Sequence, residues 1–277
     1  MLPRGAMLRN VRTAEWINTL TFSFFAVCAW LRPLTRRGRI RATAFGFGGI
    51  LLTLAAYFAQ QSVRSPAISI VRDWLPAPLM MFVYWQTGQF FTRRNESLEA
   101  RLLALDDKIL GALFGRRPNP SLGVAAANAF EFAYLFCYPL IPLGLLALYV
   151  LGLRAHADEY WAAVLPPTYF CYALLPFIQM FPPRLLAADR WRNLSRGPIR
   201  NFNLWVLHHG SIQVNTFPSA HVASAMAAAL VLLRLAPPVG IPFLVISIGI
   251  ALGAVFGRYH YAADAITATV LAMVFSL

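Results

Sequence analysis

Two short stretches of this chain carry residues suited to acid–base and nucleophilic chemistry: FPSAHVASA at 217–225 and RYHYAAD at 258–264. Each sets a histidine at the head of an apolar run, and an ionisable group in such a run marks a functional position by default. His260 and Asp264 are four residues apart, a spacing that shares one face of a helix. A carboxylate there accepts a hydrogen bond from one imidazole nitrogen, fixes the tautomer and leaves the other lone pair free to attack. His221 follows Pro218 and Ser219. Pro218 suits the first position of a helix, and Ser219 with the free amides of that turn can hold an anion. One imidazole can then attack phosphorus while the other protonates the leaving oxygen, with arginines neutralising the equatorial oxygens. Taken singly, each stretch has a plainer reading: a surface His–Asp pair at a helix start, and a histidine snorkelling to a membrane interface.

The elements that must position these residues are apolar. The 277 residues are 58% hydrophobic and 13% charged, against about 25% charged in a soluble domain, and the mean hydropathy is +0.57. Apolar segments run at roughly 16–31, 43–62, 75–92, 122–152, 160–180, 219–235, 238–256 and 261–277. Segments of about 20 residues can cross a hydrocarbon core of about 30 Å, and only helices satisfy their own backbone there. The fold class predicted is an all-α, polytopic membrane helix bundle. The fourth segment holds Glu131, Pro139 and Pro142 and should kink; Glu131 is either a functional acid or hydrogen-bonded to a neighbouring span. The third, with Pro76, Pro78 and Gln86, is the weakest span. Between spans, SLEARLLALDDKILGALFG at 97–115 repeats Leu98, Leu102, Leu105, Ile109 and Leu113 at helical steps, which predicts an amphipathic helix lying in the interface. A long loop is expected over 181–218.

The net charge of +13 sits between apolar runs, which suits membrane loops and anionic headgroups and argues against nucleic acid. If all eight segments span, one face holds Arg4, Arg9, Arg12, Arg64, Arg72, Arg154 and Arg234, and the other 17 of the 24 basic residues share the face of both histidine stretches. Charge counting makes that basic face cytoplasmic; a phosphate-binding site would bias the count the same way. Cys28, Cys137 and Cys171 lie in separate apolar runs without CxxC spacing and read as core. The N-terminus reads as an uncleaved first span. His208 and His209, with His221, imitate a metal site, but no cysteine or carboxylate cluster supports one, so no metal or cofactor is expected.

FPSAHVASA and HYAAD resemble the second and third motifs of the type 2 phosphatidic acid phosphatase superfamily: Pro-Ser-X-His, then His-X-X-X-Asp across one intervening span. FPSxHxxxA with HYxxDxxxA is most similar to the branch of inositol phosphorylceramide synthases and bacterial relatives, and LDDKILGALFGRRPNP resembles a segment preceding the core there. The resemblance covers roughly 75–277 and implies a six-helix phosphatase-like core, with residues 1–74 as about two additional N-terminal spans. It implies His260 as the nucleophile forming a phosphohistidine, Asp264 as its orienting partner, His221 as general acid and Ser219 as a phosphate contact. The usual first motif, Lys, six residues, Arg-Pro, is absent, because the only lysine, Lys108, has no such neighbour. FPPR at 181–184 falls in its place, so Arg184 is the expected phosphate arginine, with Arg190 and Arg192 as rivals. The arginine six residues before the third-motif histidine is Ala254 here, and Arg258 is the expected substitute.

The function expected is lipid-phosphate phosphotransfer of the inositolphosphotransferase type. The substrate would be a membrane phospholipid or lipid phosphate, with inositol or a lipid alcohol as acceptor. Dephosphorylation of a lipid phosphate or polyprenyl diphosphate is the runner-up, and a non-catalytic lipid-binding or transport protein is the alternative of another class; no duplicated pair of interrupted helices favours a transporter. The expected location is the cell (inner) membrane, with the site on the extracytoplasmic face, as in the superfamily.

Overall fold

The computed structural model describes residues 11–115 and 121–276. Arg4, Arg9 and RRPNP at 116–120 lie outside them. The described chain is helical, with no strand among the described residues. Its elements are α1 (Thr13–Leu31), α2 (Arg36–Val63), α3 (Pro66–Trp74), α4 (Pro76–Thr87), α5 (Glu96–Phe114), α6 (Val124–Leu135), α7 (Leu140–Val150), α8 (Ala157–Leu174), α9 (Pro198–Gly210), α10 (Ala220–Leu235), α11 (Pro237–Phe256) and α12 (Ala262–Ser276).

Helices α1, α2 and α11 are long and apolar enough to cross a membrane, and the bent α6–α7 pair makes a fourth if it is one span. This is a smaller set than the eight segments read from hydropathy. The segment at 75–92 contains a helix of only 12 residues, α4, about 18 Å long. Helices α10 and α12, with 16 and 15 residues, are also shorter than a straight span. The expected kink is present: α6 and α7 meet at 68°, where Pro139 opens α7 and cannot continue α6.

Helix α10 is the hub, packed against α7, α8, α11 and α12. Its sequence AHVASAMAAALVLLRL explains this, because alanine and serine let neighbouring backbones approach closely, and Ala223, Ala225, Ala227, Ala228 and Ala229 are fully buried. Helix α11 crosses α6 closely at Gly253, where any side chain would collide with the Phe130 carbonyl. The N-terminal helices are not a separate packing unit. Phe22, Phe25 and Ala29 of α1 share one hydrophobic cluster with α8 and α10, so contacts cross the boundary expected at residue 74.

One end of the bundle is tied by ions. Arg12 and Arg154 both reach Asp73 (2.6 and 2.7 Å), Arg72 pairs with Glu15 (2.6 Å) and Arg234 with Glu159 (2.8 Å). Both histidine stretches lie at the opposite end. Two expectations for that end change. The 181–218 stretch contains α9, whose inward residues are Arg200, Asn203 and Leu207. Its helical period is hidden from an apolar search because two of those three residues are polar. Helix α5 does form, but Glu99, Leu102, Asp106 and Leu110 face inward, while Leu105 and Leu113 of the expected apolar stripe are exposed. Carboxylates win the inner face because backbone donors await them: Glu99 accepts from the Phe181 amide (2.9 Å) and Asp106 from the Ala262 amide (3.0 Å).

Candidate active site

The two motif segments meet at adjoining helix heads. Ser219 caps α10, its Oγ accepting from the Val222 amide (3.4 Å), and its own amide donates to the Asp264 carbonyl (3.3 Å). Pro218 is therefore the residue before the cap, joined to Phe217 by a cis peptide bond, and not the first helical residue. Ser219 is fully buried. Its placement makes it a tie between the two motifs.

His260 precedes α12, so His260 and Asp264 do not share a helix face in the way their spacing suggests. Asp264 is the third residue of α12 and reaches back to the chain before it, accepting from the Tyr261 amide (3.1 Å). This is the reciprocal half of a capping box. The same oxygen, Oδ2, faces His260 Nδ1 at 3.2 Å and accepts from Asn215 Nδ2 at 2.7 Å. Asp264 can only accept here, which assigns the hydrogen to Nδ1 and leaves the lone pair on Nε2. No protein group among the described residues bonds Nε2.

The imidazole of His221 faces that of His260, with ring centres 6.1 Å apart and planes at 76°. Three tyrosines surround it: Tyr138 at 5.4 Å, Tyr134 at 6.2 Å and Tyr84 at 6.4 Å between ring centres. Tyr84 is held by Ser211 and the Ile212 amide (3.1 and 3.0 Å). The hydroxyls of Tyr134 and Tyr138 have no protein partner among the described residues. Behind them Tyr134 stacks on Tyr259 at 4.1 Å.

Arg184 enters this space from the 183–185 turn. Its amide donates to the Arg258 carbonyl (3.0 Å), and its guanidinium lies 5.6 Å from the Tyr259 ring centre. It is near enough to His221, Tyr134 and Tyr138 to interact with them electrostatically. No carboxylate among the described residues pairs with it, and burial pulls its pKa below the usual arginine value. A partly buried cation with no carboxylate partner among the described residues, beside two facing histidines, has the chemistry to hold an anion.

The other expected arginines are placed elsewhere. Arg258 is fully buried in a left-handed turn with φ 58°. Its Nε and Nη2 donate to Asp189 (2.9 and 3.0 Å), and Nη1 lies 2.7 Å from Asp106. Its charge is thus met by two carboxylates, and its work is to fasten α5 and the 186–194 loop onto the α11–α12 turn. Arg190 pairs with Asp107 (2.9 Å) and stacks over Trp191 at 4.4 Å. Arg192 is exposed. Neither is drawn to the histidines.

Glu131 is hydrogen-bonded rather than free. It accepts from Ser195 (2.8 Å), Arg200 (2.9 Å), Asn203 (2.6 Å) and Tyr259 (2.6 Å), and so fixes the ring against which Tyr134 stacks. His208 and His209 are exposed on α9, and no group of potential metal ligands exists among the described residues. Sequence reasoning missed Asn215, the tyrosine cage and the Asp106–Arg258–Asp189 lock. The cage had no signal, since aromatics in apolar segments read as core. No family model, curated protein or solved structure matches this chain.

Proposed function

We propose that this chain is a membrane lipid-phosphate phosphotransferase acting through a phosphohistidine on His260. The observation that carries the reading is the facing pair of imidazoles, one backed by a buried carboxylate, with the unpaired Arg184 beside them. His260 Nε2 attacks phosphorus: the N–P bond forms and the P–O bond to the lipid alcohol breaks. His221 gives its proton to the departing oxygen, and the anionic phosphoryl group stabilises the imidazolium it needs beforehand. In the second half His221 takes the proton of an acceptor hydroxyl, whose oxygen attacks phosphorus as the N–P bond breaks. Asp264 balances the positive charge on the phosphorylated ring throughout, and Arg184 holds the phosphoryl oxygens.

The acceptor divides transferase from phosphatase. The free hydroxyls of Tyr134 and Tyr138 beside His221 favour an alcohol, inositol or a lipid hydroxyl, since they can bind its other oxygens. The resemblance to the inositolphosphotransferase branch and its six-helix core points the same way. We place the protein in the cell membrane with this site on the extracytoplasmic face. Product analysis tests the reading: purified protein with labelled phospholipids, with and without inositol or ceramide, should yield a phosphorylated alcohol. Release of free phosphate alone would move the activity to a phosphatase, and no turnover of any phospholipid or lipid phosphate would sink it.

A further inference from the structure

A basic cavity of about 600 Å³ opens at the same end of the bundle, lined by none of the histidines. Its walls include Arg32 at the end of α1, Arg93 and Arg94 in the 91–95 linker, and Phe177 and Gln179 beyond α8. The guanidinium of Arg32 is steered over the Phe177 ring at 5.2 Å, and that of Arg94 over Phe181 at 5.6 Å. One carboxylate lines the cavity, Glu96, and it is taken by Arg94 (2.9 Å). Arg32 and Arg93 meet no side-chain acceptor among the described residues, so the cavity keeps two uncompensated cations.

The wall is built, not loose. Buried Gln179 accepts from the Thr92 and Arg93 amides (2.8 and 3.0 Å) and donates to the Phe90 carbonyl (2.8 Å). Its own carbonyl accepts from the Asn95 amide (2.7 Å). The linker that carries two of the three arginines is therefore fixed from both sides. Exposed apolar side chains adjoin the polar lining: Phe177 in the wall itself and, just before Arg32 in the chain, Trp30 and Leu31, which are 56%, 65% and 76% exposed. Cations beside exposed aromatic and aliphatic side chains match the boundary between headgroups and acyl chains.

We propose that this cavity is an anionic-lipid site, separate from the histidine site, which seats the phosphate of a phospholipid headgroup between Arg32, Arg93 and Arg94. A free phosphate ion has the same chemistry but no use for the exposed apolar side chains beside it. The inference does not depend on phosphotransfer at His260. It also gives the N-terminal helices a role, since Arg32 closes a site whose other walls belong to the core.

Native mass spectrometry of the purified full chain tests it, with His260→Ala as background so that no probe is turned over. The probes are dioctanoyl phosphatidylglycerol, dioctanoyl phosphatidylcholine and inorganic phosphate. Arg32→Gln with Arg93→Gln should weaken binding of the anionic lipid about 30-fold, and Arg93→Gln alone about fivefold. Arg93 is exposed, and its side chain makes no hydrogen bond or ion pair among the described residues, so that single variant should fold as the parent does. The exposed control pair Arg101→Gln with Arg196→Gln should change nothing, and the zwitterionic lipid should be insensitive to every variant. Unchanged affinity in the Arg93 variants, or an equal loss in the control pair, would overturn the proposal. So would displacement of the lipid by inorganic phosphate at equal concentration, which would mark a site for the free ion.

Discussion

Replacing Asp264 by asparagine separates charge from shape at the heart of the site. Three donors converge on Oδ2, from His260, Tyr261 and Asn215, while Oδ1 is buried with no hydrogen-bond partner among the described residues. An asparagine can keep its oxygen at the Oδ2 position and turn its amide toward the empty side, so the fold should survive. What it loses is the negative charge 3.2 Å from His260 Nδ1. The ring becomes cationic as its Nε2 bonds phosphorus. With an effective dielectric of about 20, the attraction at that distance is about 5 kcal/mol, and a neutral hydrogen bond retains about 1 kcal/mol. The difference, about 4 kcal/mol, corresponds to a fall of about a thousandfold in kcat. Both groups are almost fully buried, so solvent screening takes little from this figure. Steady-state turnover of a labelled phospholipid, read beside thermal unfolding in detergent, is the assay. A kcat within about tenfold of the parent, at unchanged melting temperature, would refute the proposed role of the carboxylate.

Three further outcomes follow from the geometry. His221→Ala should lower turnover about 10²–10⁴-fold for an ordinary lipid alcohol, and much less for a substrate with a phenolate leaving group that needs no proton, read in parallel kinetic assays. Arg184→Gln should lower kcat/KM by about 10²-fold or more, with Arg184→Lys recovering part of it, since a lysine keeps the charge but loses the fork. For orientation, Arg192→Cys offers an exposed thiol on the site face while Cys28, Cys137 and Cys171 are buried. An impermeant maleimide should label it in intact cells, and labelling only after permeabilisation would place the site inside.

The helical class and the nearness of His221, His260 and Asp264 were legible because costly ionisable groups stood at the heads of apolar runs. The detail was not. Spacing alone suggested a shared helix face for His260 and Asp264, whereas the carboxylate reaches back over the start of α12 to cap it. Hydropathy marked α4, α10 and α12 as spans without sensing their length. Helix α9 escaped notice because Arg200 and Asn203 point inward to Glu131. Arg258 looked like a phosphate ligand by position, yet Asp106 and Asp189, distant in sequence, neutralise it. Charged partners found only through folding cannot be read from a single chain, and the same holds for the absence of a carboxylate partner for Arg184 among the described residues.

The central claim is a phosphoryl group carried by His260, and trapping it is the most direct measurement. Purified protein mixed with a phospholipid labelled in its headgroup phosphate, quenched in alkali within the first turnovers and digested, should yield an acid-labile, base-stable phosphate on the peptide containing His260. His221→Ala should still accumulate that species from a substrate with a phenolate leaving group, and His260→Ala should yield none. Turnover that continues in His260→Ala, or a phosphoryl group found on another residue, would contradict the account.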